Sequence, residues 1–135
     1  MSLRADLVAA SVVRGELAAW LLAHSWPPAH ADDLVLVLSE AVTNSIQHGY
    51  GVGVDVYDHP GIVRVSADIH TSGSAGHRHV ELTIADDGRW REPTRTPRPG
   101  HGLYLMKAIA ARTIIDGTPH GTTVTMHSHP VSPPP

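Results

Sequence analysis

Two stretches of alternating apolar and polar residues, joined by a short turn, constrain the fold of this chain more than any other feature. Gly61 to His70 carries Ile62, Val63, Val65 and Ile69, and Arg78 to Ala85 carries Val80, Leu82 and Ile84 between polar neighbours. A period of two sends successive side chains to opposite faces, as in a strand with one buried face. Thr71 to Gly76 between them is a Ser/Gly-rich turn, so the two strands form an antiparallel hairpin. A second hairpin is expected from Thr113 to Ile115 and Thr122 to His127, around Gly117-Thr118-Pro119-His120-Gly121.

Helical patterns surround these strands. Residues 4 to 24 are rich in Ala, Leu and Val and end at Trp26-Pro27-Pro28, where a proline disfavours the α conformation of the residue before it. A second helix is expected from Ala31 to His48, with Leu34, Leu38, Val42 and Ile46 as its apolar stripe and Gly49 and Gly51 as stop residues. Residues 88 to 100 hold Gly88, Pro93, Pro97, Pro99 and Gly100 and form an irregular loop, followed by a helix from Leu103 to Ala111. The order is helix, helix, strand, strand, loop, helix, strand, strand. Hairpins sharing a chain with helices predict an α+β two-layer sandwich, a mostly antiparallel sheet with helices on one face. A doubly wound sheet is excluded because strands and helices do not alternate regularly.

The 135 residues suffice for one domain, expected over residues 1–129, with the proline-rich tail Pro130–Pro135 as a frayed end or linker. A hydrophobic content of 41% and a charged content of 17% permit a core. The formal net charge of -3 gives no reason to expect direct nucleic-acid or anionic-membrane binding. No apolar run approaches the length of a membrane span, and Arg4, Asp6, Arg14 and Glu16 interrupt any signal-peptide pattern. There is no cysteine, which excludes disulfides and thiolate metal sites and fits the cytoplasm. There is no Phe, so the core must rest on Leu, Val, Ile, Ala and Trp, and there are 11 His.

Four clusters carry possible chemistry. Glu40, Asn44 and His48 recur every four residues on the second helix, opposite the Leu34-Leu38-Val42-Ile46 stripe. A carboxylate there can orient a water or hydroxyl for attack on a phosphate, and an Asn amide oxygen suits Mg²⁺. The plainer reading is a solvated helix face, with His48 as a favourable cation near the helix C-terminus. Asp86-Asp87-Gly88 ends a strand, where a carboxylate can accept a hydrogen bond from an adenine amino group and Gly88 lets the base approach the backbone. Asp-Gly is equally a common turn dipeptide. Gly100-His101-Gly102-Leu103 opens a helix and can present backbone N–H groups to phosphate, or serve as a hinge. Gly121-Thr122-Thr123 begins the last strand, where a Thr hydroxyl can touch a base or simply suit a strand. His77 and His79, and His127 and His129, each place two imidazoles two apart. Without cysteine or clustered acidic partners they are taken as solvated surface.

Taken together, these stretches resemble a known family. Glu40-Ala41-Val42-Thr43-Asn44-Ser45-Ile46-Gln47-His48-Gly49-Tyr50 is similar to the N-box of the Bergerat-fold ATPases, and most similar to that of the anti-sigma factor serine kinases. Asp86-x-Gly88 matches the first glycine box, Gly100-x-Gly102-Leu103 the second, and Gly121-Thr122 the late G-T signature. The stretch from Asp86 to Arg91 looks like the actinobacterial members, with Trp90 where a second glycine often stands. The resemblance implies ATP and Mg²⁺ as cofactors. It implies Glu40 as the general base for an acceptor serine and Asn44 as the Mg²⁺ ligand. Asp86 would contact adenine with room from Gly88, residues 89 to 101 would form a lid, and Gly100 and Gly102 would meet the phosphates. Leu103 completes that second box, Thr122 or Thr123 would lie near the base, and His48 is a possible phosphate contact. The implied partners are a sigma factor and an anti-anti-sigma protein phosphorylated on serine, with the chain as a homodimer. The alternatives are a non-catalytic nucleotide-binding interaction module and the ATPase domain of a larger regulator.

Overall fold

In the computed structural model, which describes residues 2–4, 8–50, 62–86, 108–118 and 121–134 (backbone only at 3–4 and 44–50), the alternating stretches build the expected hairpin. Strands β2 (Ile62–Ser72) and β3 (His77–Asp86) pair antiparallel from Val63 opposite Asp86 to Ser72 opposite His77. Gly73 and Gly76 in the turn have φ of 75° and 69°, values a residue without Cβ adopts freely. The second hairpin, β4 (Arg112–Thr118) and β5 (Gly121–His127), adds through β5 to the other edge of β3. A short strand β1 (Ser2–Arg4) pairs with the start of β2. The result is a five-stranded antiparallel sheet in the order β1-β2-β3-β5-β4.

One face of this sheet supplies Val63, Val65, Val80, Leu82, Ile84, Val124 and Met126 to the core. Helix α1 (Ala9–Ala23) meets it with Val13, Leu17 and Leu21, and α2 (Pro28–Tyr50) with Leu34, Val37, Leu38, Ala41 and Val42. The α+β two-layer architecture is therefore as expected. With no Phe, aliphatic side chains and Met126 fill the layer, and Trp26 closes one end. Arg14 Nη1 donates to the buried Ser39 Oγ at 3.2 Å and ties α1 to α2.

The first helix starts at Ala9 rather than at residue 4, because Arg4 lies in β1 opposite Ile62. Backbone pairing with β2 there overrides a helical composition. Helix α1 ends in a Schellman arrangement: the Trp26 N–H donates to Leu21 O at 3.0 Å and the Ser25 N–H to Leu22 O at 3.1 Å. Ser25 takes the left-handed position usual for glycine, with φ 54°. Arg78 holds this corner, with its guanidinium 4.8 Å from the Trp26 ring centre and Nη1 donating to His24 O at 2.8 Å. Helix α2 runs to Tyr50, past the expected stop at Gly49. Of the expected helix Leu103–Ala111, Ala108 and Ile109 are helical, Ala110 and Ala111 are not, and residues 103–107 lie outside the described residues. The tail is not frayed at Val131, which is buried and exchanges backbone hydrogen bonds of 2.9 and 2.8 Å with Arg78. No helix among the described residues is long and apolar enough to cross a membrane.

Candidate nucleotide site

The inner-face alternation of β3 runs Val80, Leu82, Ile84 and then reaches Asp86, so the strand's last residue directs a carboxylate into the layer between sheet and helices. On β5 the same phase runs Met126, Val124 and then Thr122, which is the register partner of Asp86. Asp86 is 7% exposed and Thr122 is 4% exposed. The apolar periodicity of both strands thus gives way to polar residues at the same end of the sheet, side by side.

Thr122 Oγ1 is buried and has no hydrogen-bond partner among the described residues. Such a hydroxyl costs about 1–3 kcal/mol relative to a satisfied one, and a ligand with donor and acceptor groups relieves that cost. An adenine edge, with its amino donor beside a ring-nitrogen acceptor, suits a carboxylate next to a hydroxyl. Thr122→Val is therefore expected to raise the melting temperature of the free protein by a few degrees, by removing an unsatisfied hydroxyl, and to weaken ATP binding several-fold. Thermal unfolding with and without nucleotide reads both, and a variant less stable without ATP would contradict the first.

Thr123 points the other way. It pairs with Ala85 and Asp116 on the opposite sheet face, so the two threonines proposed as base contacts are divided by the pleat. Glu40 lies on α2, half-buried, beside the buried Val37 and Ala41. The buried arc of α2 is wider than the stripe of every fourth residue, so Glu40 borders the core rather than facing open solvent. Its neighbourhood is further shaped by Thr43, whose Oγ1 donates to Ser39 O at 2.9 Å, and by the Arg14–Ser39 bond. Neither Ser39 nor Arg14 carried a sequence signal, because their contact bridges 25 positions. Asn44 and His48 follow on the same helix, with side chains outside the described residues. Gly88, Gly100, Gly102 and Leu103 also lie outside the described residues, as does the expected lid over 89 to 101.

The outer face of the sheet carries a histidine group. His70 and His79 are cross-strand partners with ring centres 5.2 Å apart, His70 Nε2 meets Glu81 Oε2 at 2.7 Å, and His79 Nε2 lies 3.4 Å from His127 Nδ1. Burial, and then the neighbouring His70 and His127, hold His79 below the usual imidazole pKa. Among the described residues there is no group of three or more His, Asp or Glu placed to hold a metal ion.

Comparison with known proteins fits this geometry. The chain is 31% identical over 110 residues to an anti-sigma F factor of Priestia megaterium, covering 72% of this chain and 68% of that protein. It is 32% identical over 112 residues to an anti-sigma F factor of Bacillus velezensis, with the same coverage of 72% and 68%. Among solved structures it is similar to the RsbU and RsbW domains of Rv1364c from Mycobacterium tuberculosis, with a TM-score of 0.68, 24% identity and 98% of this chain covered. The chain spans 32% of the length of that structure, so this likeness shows the fold alone. The family model described as histidine kinase-like ATPase domain matches residues 3–128, nearly the whole chain, and the chain belongs to that family.

Proposed function

We propose that this protein is an ATP-binding anti-sigma factor with serine/threonine protein kinase activity, which holds a sigma factor and phosphorylates an anti-anti-sigma partner on serine. The observation that carries this reading is the buried Asp86–Thr122 pair on the inner sheet face, in the layer that α2 covers with Glu40 at the edge of its buried arc. The relatives named anti-sigma F factor support the choice of kinase class.

In this reading Asp86 accepts a hydrogen bond from the adenine amino group and Thr122 Oγ1 bonds the neighbouring ring nitrogen, which fixes the nucleotide at the sheet end. Mg²⁺, for which the Asn44 amide oxygen is a suitable donor type, offsets the charge of the phosphates when bound. Glu40 accepts the proton of the partner's serine hydroxyl as its oxygen bonds to the γ-phosphorus. The bond from that phosphorus to the bridging oxygen of ADP breaks, ADP leaves with the electron pair, and Glu40 returns its proton to solvent. The protein supplies positioning and one proton acceptor, which is most of what phosphoryl transfer asks of it. Recognition of the two protein partners and pairing as a homodimer follow from the same family reading.

Calorimetric titration with Mg·ATP, run beside Asn44→Ala, tests the site. The wild-type protein is expected to bind, and Asn44→Ala to bind at least about tenfold more weakly in the presence of Mg²⁺, for the loss of a ligand worth about 1.4 kcal/mol or more. Equal affinities would remove Asn44 from the site, and no binding at millimolar ATP would leave a protein-interaction module without nucleotide.

A further inference from the structure

We infer that the outer face of the sheet carries an acid-sensitive fastening, a row of three imidazoles in which His70, His79 and His127 join β2, β3 and β5 only while the row is not fully protonated. The row lies on the face away from the helices, at the ends of β3 and β5 opposite to Asp86 and Thr122. The inference therefore does not rest on the nucleotide reading.

Strand register makes the row. His79 faces His70 directly across β2 and β3. Glu81 lies opposite His127, which makes His79 the diagonal neighbour of His127 across β3 and β5, within reach for aromatic side chains. The rings of His70 and His79 stack with centres 5.2 Å apart, and those of His79 and His127 lie 5.5 Å apart at a tilt of 44°. His79 Nε2 and His127 Nδ1 are 3.4 Å apart in a ring-to-ring hydrogen bond. Such a bond needs one N–H and one bare nitrogen, so it exists only while at least one of the two rings is neutral. With both rings protonated, two donors oppose each other and attraction between the strands' side chains becomes repulsion.

The acidic groups of this face do not offset a fully charged row. Glu81 is engaged by His70, whose Nε2 meets Oε2 at 2.7 Å, and Asp68 faces Glu81 from β2. Arg112 faces His127 from β4. The exposed His77 precedes the row on β3, and the exposed His129 follows it after β5. Three charged rings beside Arg112 thus exceed the two carboxylates, and His77 and His129 enlarge the excess once protonated. Burial, and then His70 and His127, disfavour the charged form of His79 against the pull of Glu81. Stability is therefore full above about pH 6.5, the ordinary imidazole value. It is lost as the pH falls from there to the lower folded-state value of His79.

Thermal unfolding of the full, tag-free chain between about pH 7.5 and pH 5.5, the range in which imidazoles change charge, tests the fastening. The wild-type melting temperature is expected to fall by about 3–5 °C across that range. His79→Gln should fall no more than about half as far, because glutamine takes up no proton. His30→Gln, which removes an exposed imidazole on α2 outside the row, should fall as far as the wild-type protein. A flat wild-type profile, or a His79→Gln profile parallel to it, would overturn the inference. Should His79→Gln lose its fold, imidazole ¹H–¹⁵N spectra of the wild-type protein decide. They are expected to show one N–H and one bare nitrogen at the His79 Nε2–His127 Nδ1 contact at neutral pH. Two bare nitrogens there, or a His79 that titrates at or above about 6.5, would equally overturn it.

Discussion

Glu40→Ala is expected to lower phosphate transfer to the partner serine by about 10²- to 10⁴-fold, the range for loss of a positioned general base. ATP affinity should stay within about twofold, because the lost interaction belongs to the transition state and not to the bound nucleotide. Glu40 is half-buried next to Val37 and Ala41, so its removal deletes a carboxylate at the edge of the core without opening a cavity in it. The fold should therefore survive, and the residual rate reports positioning alone. Single-turnover transfer from Mg·ATP to an anti-anti-sigma protein, with ATP binding measured in parallel, separates the two effects. Transfer at the wild-type rate would remove Glu40 from the chemistry.

Asp86→Asn is the second large effect. A hydrogen bond to a charged acceptor is worth about 1.5–3 kcal/mol, so ATP should bind about 10- to 100-fold more weakly. The replacement keeps the side-chain shape at a position only 7% exposed, so loss of binding is not confounded by a cavity. The same geometry predicts discrimination of bases. Guanine presents a carbonyl oxygen where adenine presents an amino group, and facing the Asp86 carboxylate it would leave two acceptors opposed. Wild-type protein should prefer ATP to GTP, and Asp86→Asn should narrow that preference, since an amide can donate as well as accept. Titration of both proteins with both nucleotides checks this, and an unchanged ATP/GTP ratio would place the base elsewhere.

The two hairpins and both long helices were legible in the sequence because each depends on neighbours a few residues away. Val80, Leu82 and Ile84 alternate, Gly73 and Gly76 permit the turn, and Leu34, Leu38 and Val42 recur on one helix face. Strand β1 was not legible: three residues are too few for a period, and only pairing with Ile62–Arg64 makes them a strand. The docking of Val131 on Arg78 was equally invisible, because a valine among prolines shows no partner until the chain brings β3 beside it.

The sequence by itself determined the fold class, the order of the motifs and the family they resemble, since periodicity and spacing are local properties. It named Asp86, Thr122 and Thr123 but not which threonine shares a face with the carboxylate. Only the tertiary structure decided that β5 lies between β3 and β4, with Thr122 opposite Asp86. That pairing then turns Thr123 outward and brings His79 to His127 on the far face. The physical reason is that a pleated strand has two faces one residue apart. Which face a residue occupies is fixed by the register of a partner strand distant in sequence, a choice made by burial of the whole sheet against α1 and α2.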